Sequence, residues 1–339
     1  MDPLVIAGQS IKAGTTQLEL PVARLYTDTE ISIPIHVTRG RKAGPVVFVC
    51  GAIHGDELNG TEIIRRLINH KSVRNIQGTL IMVPMVNVHG VLNQSRYMPD
   101  RRDLNRSFPG SAKGSLAGRV ANLFLTEIVA KCDYGIDLHT GAIHRTNLPQ
   151  LRADLSDPDT LAMAEAFGVP VLLDSTLRDG SLRQAALESG VKILLYEAGE
   201  ALRFDELAIR AGLNGVLNVL SHLGVIRRKP RKTVPPFVAD NSAWVRASAS
   251  GLVMARQRLG DHVSRGQLLA EIGDPFGRVI DKVVAPKRGI IIGKQNIPLV
   301  QEGEAMYHLA YFNEPDEVAE NIELMQDTFL PDAYPEELL

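Results

Sequence analysis

Between about residues 45 and 225 the chain alternates short, wholly apolar runs with stretches whose apolar positions recur at helical spacing. A run such as Val46-Val-Phe-Val-Cys50 has no polar side to turn toward water, so it suits a strand buried on both faces. Burying both faces requires helices above and below, and the expected fold class is therefore α/β, a sheet wrapped by helices. The apolar runs place strands at 46–50, 79–84, 134–138, 170–173 and 192–196. Helices are expected at 58–69, where Ile63, Ile64 and Leu67 share a face, and at 116–130, where Val120, Leu123, Phe124 and Ile128 do. Further helices are expected at 161–167 and over 204–223, the latter as one long helix or two short ones. Residues 17–20 and 31–38 alternate apolar and polar positions instead, which suits antiparallel strands joining one edge of the sheet.

Past residue 226 the character changes. The basic run Arg227-Arg-Lys-Pro-Arg-Lys232, with Pro235 and Pro236 beyond it, reads as a solvated linker rather than a binding patch, because it is short and proline-rich. The segments that follow are short, β-prone and separated by Gly, Pro and Asp, as in a small all-β domain. The expected division is a catalytic domain over 1–228, a linker over 229–240, a β-rich domain over 241–312 and an acidic tail over 313–339. The β-rich part resembles biotinyl and lipoyl domains, which are flattened barrel-sandwiches, in Ala249-Ser-Gly-Leu-Val, Gly260-Asp-His-Val-Ser-Arg-Gly-Gln-Leu-Leu269 and Val284-Ala-Pro-Lys-Arg-Gly289. It carries no modification motif of those carriers, so the module is expected to be structural or interface-forming and Lys287 an ordinary surface lysine. Trp244 and Tyr307 are expected to pack it. The tail, which has several acids and no Lys or Arg, is expected to be a surface helix or partly disordered.

A formal net charge of -2 gives no electrostatic case for nucleic acid or an anionic membrane as partner. No apolar run reaches the roughly 20 residues of a membrane span, and residues 1–10 lack the marks of a signal peptide. Cys50 and Cys132 sit beside apolar runs and read as buried small hydrophobes, so a reducing, cytoplasmic setting is expected. Exposed edges of an added β module make a homodimer or tetramer the expected assembly.

In open α/β sheets, sites form outside the carboxyl ends of the strands. Four strand ends carry chemistry here: His54-Gly-Asp-Glu57; the arginine-dense loop from Ser95 to Gly110; Asp137-Leu-His139-Thr140; and Tyr196-Glu197-Ala-Gly199. His54 and Glu57 alone would suit a solvated turn entering a helix. Together with His139 they supply two imidazoles and a carboxylate, which leaves one tetrahedral position open for water, as catalytic zinc requires. Glu197 then suits a general acid/base beside that water. Asp137 points to the same side of its strand as His139, so it is either a partner of that imidazole or a buried group satisfied by backbone amides. His89, His144, His262 and His308 have no matching spacing and are expected to be ordinary loop or β-domain residues.

These four motifs, in this order, resemble the succinylglutamate desuccinylase and aspartoacylase family, relatives of the zinc carboxypeptidases, over about residues 45 to 225. The resemblance implies a zinc-carboxypeptidase-like mixed sheet flanked by helices, followed by the small all-β barrel-sandwich domain. It implies one zinc ion per chain on His54, Glu57 and His139, with Glu197 as catalytic acid/base. It also implies Arg96 as the oxyanion arginine, although Arg101 and Arg102 are nearer the Asp103-Leu-Asn-Arg106 run and either is an alternative. Asn105 and Arg106 are implied to hold a substrate carboxylate, against a structural role as caps on their loop. Arg183 is implied to reach the amino-acid side of the substrate, against a place on a solvated helix face. The expected activity is a zinc-dependent amidohydrolase cleaving an N-acyl amino acid or similar small amide by metal-activated water. The alternatives are a zinc carboxypeptidase acting on peptides and a non-catalytic zinc-binding scaffold.

Overall fold

Both faces of the apolar strands are covered, and successive residues of each strand go to different cores. The protein, described here by a computed structural model over residues 3–175, 178–229 and 235–330, begins with a hairpin of β1 (Val5–Ile6) and β2 (Gln9–Ser10). Two long strands follow, β3 (Gly14–Arg24) and β4 (Glu30–Arg39), and then β5 (Val46–Gly51), α1 (Asn59–Asn69), β6 (Thr79–Val83), α2 (Val88–Leu92) and α3 (Leu116–Glu127). Next come β7 (Tyr134–Gly141), β8 (Arg145–Ala153), α4 (Pro158–Phe167), β9 (Val171–Asp174), α5 (Leu182–Glu188), β10 (Lys192–Glu200) and α6 (Glu206–His222). The C-terminal part holds β11 (Phe237–Ala239), β12 (Asn241–Arg246), β13 (Gly251–Ala255), β14 (His262–Val263), β15 (Leu268–Gly273) and β16 (Val279–Val284). It ends with β17 (Gly289–Gln295), β18 (Leu299–Val300), β19 (Ala305–Tyr311) and α7 (Pro315–Phe329). Expectations placed on 230–234 of the linker and on 331–339 of the tail lie outside the described residues.

The large sheet runs β12-β19-β17-β8-β10-β7-β5-β6-β4-β3. Its centre, β10-β7-β5-β6, is parallel, and β3 and β4 form the expected antiparallel edge beside β6. Phe48, Cys50, Ile81 and Val83 face one core with Phe124 of α3 and Leu182 of α5. Val47, Val49, Leu80, Met82, Ile136 and Leu138 face the other, filled by α1, α4 and α6. This two-sided burial is why those strands read as unbroken apolar runs.

Among the elements not foreseen, two line the cleft described below. In β8, Arg145, Asn147 and Arg152 interrupt the apolar signal because they are aimed at a cleft instead of at water, and Gln150 does so because its Nε2 donates to the Ile292 carbonyl at 3.1 Å. The helix α5 has only 7 residues, too few for a periodic pattern, and starts where Ser181 Oγ accepts a hydrogen bond from the Gln184 amide. The 204–223 stretch is one helix, α6, capped by Asp205 through the Ala208 amide.

Across the proline-rich segment the hydrogen-bonded sheet continues: β17 pairs antiparallel with β8, setting Gly293 opposite Asn147. A second sheet, β16-β15-β13-β18, packs on β17 and β19 and encloses Leu269, Ile272, Ile291, Tyr307 and Leu309, the sandwich expected for this region. Ile290 and Ile292, on the opposite face of β17, pack under α7. That helix carries Val318, Ile322, Met325 and Phe329 into the core, so the first half of the acidic tail is an amphipathic helix holding the C-terminal strands down, more than a surface decoration. Ile322 is almost fully buried there. Ile322→Ala is expected to lower the unfolding free energy by about 2–5 kcal/mol in urea denaturation, through lost apolar contact and the cavity left behind.

Candidate metal centre and its cleft

The parallel strands β6, β5, β7 and β10 all end at one edge of the sheet, and the polar residues after them converge there. After β5 the chain turns tightly enough that a side chain has no room at two places. A Cβ on Gly51 would lie 2.9 Å from the carbonyl carbon of Gly60 at the start of α1, and one on Gly55 would lie 2.0 Å from that of Gly90 in α2. The turn is closed by the Glu57 amide donating to the His54 carbonyl at 3.1 Å, which puts both side chains inside. His139 is the sixth residue of β7, and Glu197 of β10 is its direct neighbour in the parallel ladder.

His54, Glu57 and His139 are all buried, with ligand atoms within 4.8 Å of one another. Nδ1 of His54 lies 2.7 Å from Glu57 Oε1, and Nδ1 of His139 lies 2.8 Å from Oε2. The far nitrogens are engaged as well: His54 Nε2 is 3.2 Å from Asp103 Oδ1 and His139 Nε2 is 2.8 Å from Asp137 Oδ2. With a divalent metal bound, a carboxylate on Nε2 would hold the proton on that outer nitrogen and leave the Nδ1 lone pair facing inward, which is the arrangement metal-bound histidines use. The donor set of two imidazoles and one carboxylate therefore fits a divalent metal. Burial alone raises the Glu57 carboxyl pKa, but His54 and His139 outweigh it and hold the group well below the usual carboxylate range. Asp137 is thus the partner of His139, and it also accepts from the Cys50 thiol at 3.4 Å.

Of the three candidate arginines, Arg96 is the one at this centre. Its Nη1 donates to Glu57 Oε1 at 3.2 Å and its Nη2 to Asp103 Oδ2 at 3.0 Å. Arg101 and Arg102 are exposed, and Arg102 Nε pairs with Asp100 at 3.8 Å. Asn105 is buried and does cap its surroundings, its Oδ1 accepting from the Leu182 amide at 2.9 Å, yet it also lines the cleft beside Arg106. Arg183 lies on the inner side of α5 and lines the cleft too, so it is not on a solvated face.

The cleft has a volume of about 610 Å³ and extends from the metal ligands to the C-terminal strands. Glu197 stands on its wall with Oε2 accepting from Asn147 Nδ2 at 2.5 Å and Oε1 3.5 Å from Arg152 Nε. At the far end Trp244 stacks on His308, centroids 4.7 Å apart, with the Arg145 guanidinium 5.2 Å from the Trp244 ring centre. Burial, with Arg152 and Arg178 adding to it, pushes the His308 pKa down to about 3, so this imidazole is neutral. Tyr307 packs inside the sandwich as expected, its hydroxyl donating to the Leu269 carbonyl at 3.0 Å, whereas Trp244 belongs to the cleft. Asp103, Asn147, Arg152, Trp244 and His308 are site residues that spacing did not single out. Asp103 stood inside a motif already recognised. The other four come from antiparallel strands whose approach to the cleft is set by pairing, which no local pattern reports.

Residues 43–223 match the family described as the succinylglutamate desuccinylase/aspartoacylase catalytic domain. The chain is 30% identical over 258 residues to the N-alpha-acetyl-L-2,4-diaminobutyric acid deacetylase of Halomonas elongata, covering 72% of this chain and 75% of that protein. Among solved structures it is similar to the product-bound ectoine utilization protein EutE (DoeB) of Ruegeria pomeroyi, with a TM-score of 0.81 at 25% identity over 92% of this chain and 99% of the other. It is also similar to a succinylglutamate desuccinylase/aspartoacylase from Rhodobacter sphaeroides, with a TM-score of 0.79 at 27% identity, covering 89% and 97% of the two chains. Among the described residues no helix is long and apolar enough to cross a membrane.

The carboxylate behind His139 gives a direct test of the metal centre. Asp137→Asn is expected to weaken divalent metal binding by about 10–100-fold in a chelator competition titration, with the fold retained.

Proposed function

The chain belongs to the succinylglutamate desuccinylase/aspartoacylase family, whose members are deacylases acting on amide bonds, and from that premise we propose that it is a zinc-dependent amidohydrolase of N-acyl amino acids. The observation that carries this reading is a carboxylate that is not a ligand, Glu197, standing beside a three-ligand group in one cleft. His54, Glu57 and His139 would hold a zinc ion, which when bound would supply Lewis acidity and make water a usable nucleophile near neutral pH. In the proposed reaction Glu197 accepts a proton from the attacking water and delivers it to the leaving nitrogen, so that the amine departs neutral. Arg96 steadies the charge that develops on the carbonyl oxygen; its five donor hydrogens exceed the two contacts it makes, so donors remain for substrate. Asn105 and Arg106 hold a substrate carboxylate, and Arg183 serves the other end of the molecule.

The cleft volume is that of a small-molecule site, which favours an acylated amino acid over a peptide chain. Its charge favours an acidic one. Arg96, Arg106, Arg145, Arg152, Arg178 and Arg183 line the cleft, against the carboxylates of Glu57, Asp174 and Glu197. Across a panel of N-acetyl, N-succinyl and longer N-acyl amino acids, substrates with more than one carboxylate are expected to show the higher kcat/KM. A preference for N-acyl diamino acids with a cationic side chain would reverse that assignment. Glu197→Gln is expected to keep its metal content by elemental analysis and to lose about 10²–10⁴-fold in kcat, and near-normal turnover would refute the role given to Glu197.

A further inference from the structure

We propose that Asn147 is a positioning residue for Glu197, and that the C-terminal strand β17 holds it in place through Gly293, so that the C-terminal module takes part in catalysis. This rests on Glu197 being the acid/base. A glutamate side chain has three rotatable bonds, and at the mouth of a cleft it samples several rotamers unless something restrains it. Here both oxygens are engaged, Oε2 by the Asn147 amide at 2.5 Å and Oε1 by Arg152 at 3.5 Å. The two contacts differ in kind. Asn147 is buried and offers a directed N–H, whereas Arg152 makes a longer ion pair that a substrate anion would compete for.

What fixes Asn147 is its place in three strands at once. It lies opposite Gly199 of β10, just past a register shift between Glu197 and Gly199, and opposite Gly293 of β17 on its other side. The register shift matters because it turns the Glu197 side chain toward a residue three places along the partner strand from its own neighbour, Gln150. Gly293 matters because a Cβ there would lie 3.0 Å from Asn147 Oδ1 and 3.1 Å from His308 Cβ. A side chain at 293 would press on the Asn147 amide. With β17 in register the amide has one seat, and its Nδ2 faces Glu197.

The test is a double-mutant cycle on the full-length enzyme, joined to a structure. Asn147→Ala is expected to lower kcat by about tenfold or more while KM changes by less than about twofold, because the residue acts through Glu197 and not on the substrate. In the Glu197→Gln background the same change is expected to cost less than about twofold. Gly293→Ala, which crowds the amide and also presses on His308, is expected to follow the same pattern with a smaller loss, and it serves as the probe if Asn147→Ala fails to fold. Crystal structures of either variant are expected to show the Glu197 carboxylate turned away from its wild-type position. An equal loss in both backgrounds, a rise in KM with kcat unchanged, or a Glu197 side chain that stays in place overturns the proposal. If Glu197→Gln itself is fully active, the functional reading falls first and this one with it, whereas an inactive Glu197→Gln with additive effects sinks only the role of Asn147.

Discussion

The Glu57 carboxylate, nearly inaccessible and set between two imidazoles, is the constraint around which the rest is arranged. An isolated buried charge costs several kcal/mol, so a group in this position is tolerated only when every lone pair is answered. His54, His139, Arg96 and the Thr140 amide together do so, and they come from three places in the chain. Meeting one carboxylate's needs thus draws the ends of β5 and β7 and the loop after β6 to a point. The same point is where a divalent cation would best offset that charge. Asp103 and Asp137 extend the pattern outward, since each anchors an imidazole that would otherwise rotate.

Beyond the centre, the cleft is shaped by a surplus of guanidinium groups kept apart by the strands that carry them. Arg183 is buried, and its pKa is lowered by that burial and then by Arg152 and Arg178. Cations held this close repel one another, and an anion entering between them relieves that repulsion. On the proposed reading, selectivity by charge therefore comes from these arginines, while the candidate metal ligands and Glu197 stand at the strand ends.

Much of this was legible in the residue order, and the limits were physical. The central strands could be read because burial on both faces leaves nothing polar in them, and the ligands because they follow directly on those strands. The strand β8 could not be read, since Arg145, Asn147 and Arg152 make it look like a loop until the cleft that receives them is known. His308, expected as an ordinary loop or β-domain residue, and Trp244, expected to pack that domain, also line the cleft for a related reason: β12 and β19 are joined to the large sheet through β17, over a span of sequence that no periodicity bridges. Arg96 was a choice among three, settled in position by its contacts with Glu57 and Asp103. Asn105 caps α5 through the Leu182 amide, the structural use that its loop suggested, and it also lines the cleft.

The pairing of β17 with β8 has a consequence for how the polypeptide is made. Synthesis runs from the amino end, so His54, Glu57 and His139 all leave the ribosome long before Gly293 does. Until then Arg145–Asn147 on the open side of β8 lacks its final neighbour, and the amide that meets Glu197 has no fixed seat. On the proposed reading, the candidate metal ligands are therefore available to a growing chain in which the partner of Glu197 is not yet held, and the last strands to emerge are the ones that hold it.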